Sequence, residues 1–267
     1  MLGLAQGLTE FLPISSTAHL RVIPAFAGWE DPGAAFTAVT QLGTMATVLL
    51  FFRRDLARIA GAWLAGLRDP ARRRDLDGRL GWYILLGTIP IGLFGLAFKD
   101  HIETGARSLH LIGAALILLG ALLMLAERRA RRERGLGSLR LRDGLVIGGA
   151  QALALVPGVS RSGATITAGL FLGLDRASAA RYSFLLSVPA VVLSGTLELG
   201  SIVLDKTATG VPLGPLAVAT LLAFVSGYAT IAFLLRFLAT HSTAVFVGYR
   251  LLLGAVVLLA LGAGLIA

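Results

Sequence analysis

Long apolar stretches alternate along the chain with short polar connections, and six of these stretches are long enough to cross a bilayer. A helix needs about 20 residues to cross the hydrocarbon core of a membrane. The pattern predicts an all-α polytopic membrane protein that forms one integral-membrane domain over residues 1–267. The predicted spans are Ala34–Phe52, Leu80–Phe98, Ser108–Ala126, Phe184–Leu204, Leu213–Leu235 and Thr243–Ile266.

Two further apolar pieces, Met1–Leu12 and Gly144–Val156, are too short to span. Each ends at a proline followed by small polar residues, and a second short apolar piece follows, Ser16–Ala27 and Ser162–Leu174 respectively. Irregular backbone at membrane depth is tolerated only inside protein or beside a wet cavity. We therefore expect two re-entrant helix–turn–helix hairpins that meet at a central site.

The two short pieces resemble each other. GLAQGLTEFLPISS begins at Gly3 and GGAQALALVPGVSRS begins at Gly148, and both place Ala-Gln before an apolar turn, then proline, then serine. The similarity predicts an inverted-topology repeat. The first repeat covers residues 1–127 and the second covers 143–267, and a basic loop at 128–142 joins them.

The distribution of charge predicts the orientation. The net charge is +9, from 24 Lys and Arg against 15 Asp and Glu, and the arginines concentrate at 53–79 and 128–142. Two spans separate these connections, so both can be cytoplasmic, as the positive-inside rule requires. The connection Lys99–Arg107 and the C-terminus are then outside, and the two hairpins enter from opposite sides. Topology thus explains the positive charge better than nucleic-acid binding does. The chain has no cysteine, which excludes disulfides and thiolate metal sites.

The first hairpin carries groups suited to acid–base chemistry. Gln6 and Glu10 are four residues apart and share one helix face. Pro13 ends this helix because the residue before a proline avoids the helical region. A following serine can cap the next helix, on which Ser16 and His19 again share a face.

The second hairpin carries an anion-binding pattern, VPGVSRSGATIT. Pro157 and Gly158 predict the turn, and Arg161 follows at the start of a helix, where free N–H groups favour an anion. The forked guanidinium suits phosphate. The residues expected to bind a phosphate or diphosphate are Gln6, Ser15, Thr17, Ser160, Ser162, Gly163 and Thr165.

The stretches QGLTEFLPISSTAH and PGVSRSGATIT resemble the two signatures of the undecaprenyl-diphosphate phosphatase family, the membrane-embedded bacitracin-resistance proteins of bacteria. The similarity extends to QLG at Gln41, FLLSVPA at Phe184 and YR at Tyr249. It implies a plasma-membrane hydrolase that converts undecaprenyl diphosphate to undecaprenyl phosphate and inorganic phosphate. This reaction recycles the lipid carrier for cell-wall synthesis, at a site that opens toward the periplasm.

The resemblance also implies the roles of individual residues. Glu10, Ser16, His19 and Arg161 match the family's catalytic positions, and Gln6 with Glu10 matches a Glu/Gln-x-x-x-Glu pair of its first motif. The family requires Mg²⁺ or Ca²⁺, and we expect Glu10 to bind this ion with help from Gln6. Position 6 is glutamine where some members have glutamate, so metal binding here would depend more on Glu10 and on the substrate phosphates. The expected partners are the polyprenyl diphosphate and membrane lipid, and a homodimer is compatible with the sequence.

Spacing leaves the nucleophile open. We favour Ser16 activated by His19, but direct attack by His19 and activation of a water molecule fit the same spacing. A polyprenyl-phosphate transporter is the alternative function, because inverted repeats with broken helices are typical of transporters. Gln41, Gln151 and Glu198 are polar residues inside predicted membrane segments and are further candidates for lining a cavity.

Overall fold

A computed structural model of the chain describes residues 1–31, 33–98, 108–204 and 213–266, without the side chains of residues 34 and 197–213. The predicted outer connection Lys99–Arg107 and the Glu198 side chain lie outside this description. Twelve α-helices occur within it, together with 3₁₀ turns at Leu136–Ser138 and Leu153–Leu155. The helices are α1 Leu2–Phe11, α2 Ser16–Ala27, α3 Gly33–Phe51, α4 Arg53–Arg68, α5 Pro70–Arg74, α6 Leu76–Ala97, α7 Leu109–Arg129, α8 Leu141–Ala152, α9 Arg161–Phe171, α10 Arg176–Leu204, α11 Leu213–Thr240 and α12 Ala244–Gly262.

Within the described ranges, five helices are long and apolar enough to cross a membrane: α6, α7, α10, α11 and α12. A sixth span exists if α3 and α4, which are bent by 70° at their junction, are counted as one. These helices confirm an all-α, multi-pass membrane protein with five to six spans.

The basic connection predicted at 53–79 is largely helical, which corrects the sequence interpretation. Its arginines, alanines and leucines are good helix formers. Ile59 on α4 is buried, and Trp63 packs edge-on against Trp82 of α6 with ring centroids 5.6 Å apart. Charge indicated a loop here, but the residues that α4 buries against α6 recur at helical spacing.

The fourth predicted span begins earlier than expected, at Arg176 rather than Phe184. Asp175 precedes the helix, and its carboxylate accepts the backbone N–H of Ser178 at 2.8 Å and the Ser178 hydroxyl at 2.7 Å. This N-cap lets the helix start in a polar stretch, ahead of the apolar sequence that indicated the span.

Both short hairpins are confirmed as helix–turn–helix units, α1–α2 and α8–α9. Small residues bring each into close contact with a long helix. A Cβ added to Gly3 would lie 2.1 Å from the Ala219 carbonyl oxygen of α11, and one added to Gly148 would lie 2.2 Å from the Gly87 carbonyl oxygen of α6. Such close backbone approach is typical of membrane helices packed through small residues.

A buried carboxylate at the end of α7 ties together three distant parts of the chain. Glu127 accepts hydrogen bonds from Arg132 at 3.0 Å, from the Thr243 hydroxyl at 2.8 Å, and from the Arg176 guanidinium. The basic loop at 128–142 and the starts of α10 and α12 therefore meet at one point.

Candidate active site

The site lies where the two short hairpins turn, and both turns are built in the same way. Ser15 and Ser160 precede α2 and α9 with φ of 75° and 69°, a region that non-glycine residues seldom adopt. The Ser15 hydroxyl accepts the N–H of Ala18 at 3.4 Å, and the Ser160 hydroxyl accepts that of Gly163 at 3.1 Å. Each serine therefore caps a helix whose N-terminus favours an anion.

A hydrogen bond joins the two turns directly. The Ser162 hydroxyl donates to the Leu12 carbonyl oxygen at 3.0 Å and also lies 3.2 Å from the Ser160 hydroxyl. The two hairpins, separated by about half of the chain, are thereby brought together as the sequence predicted.

Glu10 is the centre of the polar cluster. Its Oε1 accepts a bond from Arg161 Nη2 at 2.6 Å, and its Oε2 accepts bonds from the Ser16 hydroxyl at 2.5 Å and from Gln6 Nε2 at 3.1 Å. The side chains of Glu10 and Arg161 are 9% and 16% exposed. The structure thus assembles three predicted residues around the largely buried carboxylate of a fourth, Glu10.

The partner of Ser16 differs from the preferred sequence interpretation. Ser16 donates to Glu10, and His19 makes two other contacts: Nδ1 lies 2.7 Å from the Ser15 carbonyl oxygen and Nε2 lies 2.6 Å from the Tyr249 hydroxyl. A carbonyl oxygen only accepts, so Nδ1 carries the hydrogen, and Nε2 of the neutral ring accepts from Tyr249. Both ring nitrogens are therefore engaged away from Ser16.

Two residues predicted to bind phosphate are less well placed. Thr165 is fully buried and its hydroxyl lies 2.6 Å from that of Ser183, on the side of α9 that packs against α10. Thr17 is exposed in the first turn of α2 and has no side-chain hydrogen bond to any described residue. Thr165 therefore supports the helix, whereas Thr17 remains accessible to a ligand.

The other intramembrane amides have separate surroundings. Gln41 lines a small crevice between α3 and α10, together with Met45 and Ser194. Gln151 is fully buried near the end of α8, and neither its amide nitrogen nor its amide oxygen has a hydrogen-bond partner among the described residues. Neither residue is hydrogen-bonded to the Glu10 cluster.

Sequence reasoning gave no role to Arg250, although it reaches both turns. This α12 arginine donates to the carbonyl oxygens of Pro13 at 3.1 Å, Gly158 at 3.0 Å and Val159 at 3.1 Å. The available signal was the position of an arginine within a predicted membrane span, which by itself marks a functional candidate.

The donor set fits a divalent cation only in part. Within the described residues no group of three or more His, Asp or Glu side chains is arranged to hold a metal. Gln6 Oε1 is buried and has no hydrogen-bond partner among the described residues, and the nitrogen of the same amide contacts Glu10. An amide oxygen and a carboxylate are the hard donors that Mg²⁺ and Ca²⁺ prefer, and Mg²⁺ at phosphate sites commonly takes its remaining ligands from substrate and water.

Comparison with known proteins identifies the family to which the chain belongs. The family model described as bacitracin resistance protein BacA matches residues 1–256. A protein of Nocardioides sp. named undecaprenyl-diphosphatase is 54% identical over all of this chain and 97% of its own length. Undecaprenyl-diphosphatase 2 of Streptomyces avermitilis is 50% identical over 99% of this chain and 94% of its own. The chain therefore belongs to the BacA family of bacitracin resistance proteins.

Proposed function

We propose that this chain, an undecaprenyl-diphosphatase by its full-length similarity to proteins of that name, cleaves the diphosphate at the site formed by Glu10, Ser16 and Arg161. The reaction yields undecaprenyl phosphate and inorganic phosphate. The observation that carries the assignment is the 2.5 Å bond from the Ser16 hydroxyl to Glu10. A hydroxyl nucleophile needs an adjacent base, and this carboxylate is the base within reach.

In the first step, the Ser16 oxygen attacks the terminal phosphorus as its proton passes to Glu10. The bond from this phosphorus to the bridging oxygen breaks, and undecaprenyl phosphate leaves with the bonding electrons. In the second step, water attacks the phosphorus of the phosphoserine and the bond from this phosphorus to the Ser16 oxygen breaks. The Ser16 oxygen takes back the proton held by Glu10, and inorganic phosphate leaves with the hydrogens of the water.

Charge on the transferred group is stabilised by Arg161 and by the N–H groups at the starts of α2 and α9. Phosphoryl transfer depends mainly on such positioning and electrostatic stabilisation. Arg161 lies 2.6 Å from Glu10, which places a fixed positive charge beside both the base and the nucleophile.

Gln6 and Glu10 are the residues that would hold a Mg²⁺ or Ca²⁺ ion, together with oxygens of the diphosphate. Such an ion would neutralise negative charge on the substrate. Gln6 Oε1 has no hydrogen-bond partner among the described residues and Glu10 is the carboxylate beside it, which supports this assignment.

His19 holds the turn in this proposal and is not the base. Its Nδ1–H donates to the Ser15 carbonyl, directly before Ser16, and Tyr249 fixes the other side of the ring.

Two parallels between the halves support the inverted repeat and its re-entrant hairpins: the positive-φ serine caps, and the packing of α1 on α11 and α8 on α6. The resemblance to the family implies, in addition, a site that opens toward the periplasmic side.

Purified protein in detergent, given a polyprenyl diphosphate and Mg²⁺, is expected to release inorganic phosphate and polyprenyl monophosphate in equal amounts. A chelator should stop the release, and added Mg²⁺ should restore it. No release under any metal condition would contradict the function. Release that is indifferent to the chelator would contradict only the metal assignment.

Tyr249→Phe is expected to lower kcat by about tenfold, because His19 Nε2 loses its donor and a hydrogen bond of this kind contributes about 1 kcal/mol or more. The unfolding temperature should change little, since the phenyl ring keeps its packing. Tyr228→Phe is the matched control: both tyrosines are 41% exposed, and no side-chain hydrogen bond of Tyr228 occurs among the described residues. Equal activities of the two variants would contradict a role for Tyr249.

A further inference from the structure

Arg250 is the largest fully buried side chain among the described residues, with 0% exposure, and it lies in the predicted membrane span α12. Its guanidinium makes five hydrogen bonds, all to backbone carbonyl oxygens. Two go to α7, at Ala115 and Leu116, both at 3.3 Å, and three go to the site turns. Within the described part of the chain it forms no ion pair with a carboxylate.

Packing alone does not explain a buried arginine at this position. Removing a charge from water is costly, and buried charges are usually paired with an opposite charge. Among the described residues, the guanidinium is hydrogen-bonded only to carbonyl dipoles, so no carboxylate there cancels its unit charge. An apolar side chain would fill the same volume without this cost, but it could not bind the carbonyl groups.

The bonds to the turns reach both halves of the site. Pro13 belongs to the turn that leads into Ser16, and Gly158 and Val159 belong to the turn that leads into Arg161. Carbonyl oxygens carry partial negative charge and would repel a diphosphate if they faced it. One guanidinium thus engages carbonyl groups from both turns that surround the expected anion.

We propose that Arg250 is a positioning residue for phosphoryl transfer: it fixes the two turns relative to each other and keeps their carbonyl groups away from the diphosphate. The proposal rests on the proposed function of the same site. Arg250 acts through the turns, whereas Arg161 contacts Glu10 directly. The uncompensated charge of Arg250 also makes the site more favourable for an anion.

The test compares Arg250→Lys and Arg250→Gln with the same changes at Arg236, an exposed α11 arginine without a hydrogen bond or ion pair to any described residue. The measurements are KM for a polyprenyl diphosphate and the inhibition constant of inorganic pyrophosphate. A loss of folded protein lowers the maximal rate but leaves both constants unchanged. We expect KM and the inhibition constant to rise about tenfold or more in the variants at position 250, because hydrogen bonds to a charged group are lost. The variants at position 236 should leave both constants unchanged.

Unchanged constants in folded Arg250→Lys would overturn the proposal. Arg161→Lys, measured in parallel, separates this inference from the function. If Arg161→Lys raises both constants and Arg250→Lys does not, only the role of Arg250 fails. If neither variant changes them, the location of the site fails.

Gly163→Ala provides a second test of the proposal if neither Arg250 variant folds. A Cβ at position 163 would lie 3.1 Å from Arg250 Nη1 and 3.2 Å from Ser160 Cβ. The guanidinium and the Ser160 side chain must therefore give by a few tenths of an ångström between them, while the charge of Arg250 remains. The expected result is a smaller rise in both constants, about threefold. Constants equal to those of the unaltered chain would count against the proposal.

Discussion

Glu10→Gln is expected to lower kcat by about a thousandfold, the range in which loss of a general base falls. Glutamine keeps the size of the side chain and can still contact Gln6, but it cannot take the Ser16 proton. It also removes the charge that pairs with Arg161 at 2.6 Å. The measurement is phosphate release at saturating substrate, with thermal unfolding in detergent to confirm that the variant is folded.

Glu133→Gln provides the control for this change. Glu133 is an exposed carboxylate in the basic loop between α7 and α8, and its side chain has no hydrogen bond or ion pair within the described residues. It should retain full activity. A general base normally contributes at least about a hundredfold to the rate. If folded Glu10→Gln keeps more than about a tenth of the activity, the loss is smaller than that contribution, and Glu10 is not the base.

Ser16→Ala should lower kcat to a similar extent, about a thousandfold, because no phosphoserine can form. It should also abolish covalent labelling. A polyprenyl diphosphate labelled in its terminal phosphate, mixed with the enzyme and quenched in acid, should leave label on the peptide that contains Ser16. Ser138→Ala removes an exposed serine of the basic loop and should label normally.

The same experiment distinguishes the other nucleophiles allowed by spacing. Phosphoserine is stable in acid and phosphohistidine is not. Label that is lost in acid but retained in base would indicate attack by His19. Full turnover by Ser16→Ala without any labelled protein would indicate attack by water.

The meeting of the two hairpins could be predicted because it depends on local signals. Helical spacing placed Gln6 and Glu10 on one face, and proline followed by serine gave each turn. The weak internal similarity then indicated that the turns belong together. The structure joins them at Glu10 and Arg161, 151 residues apart in sequence.

The partner of Ser16 could not be predicted from helical spacing. Ser16 and His19 lie on one helix, so spacing suggested that they interact. The bond from Ser16 crosses the turn to Glu10 instead, and His19 is held by Tyr249, 230 residues away in sequence. Which contacts form across a turn depends on its backbone angles, and here an unusual positive φ at Ser15 sets them.

The contact between Arg250 and Pro13 has a consequence for how the protein is made. These residues are 237 positions apart, and Arg250 lies in α12, which follows both turns along the chain. A nascent chain that has not yet inserted α12 already contains Glu10, Ser16 and Arg161, but it lacks the guanidinium that binds three carbonyl groups of their turns. The polypeptide therefore acquires a fully organised site only after α12 has been synthesised and has entered the membrane.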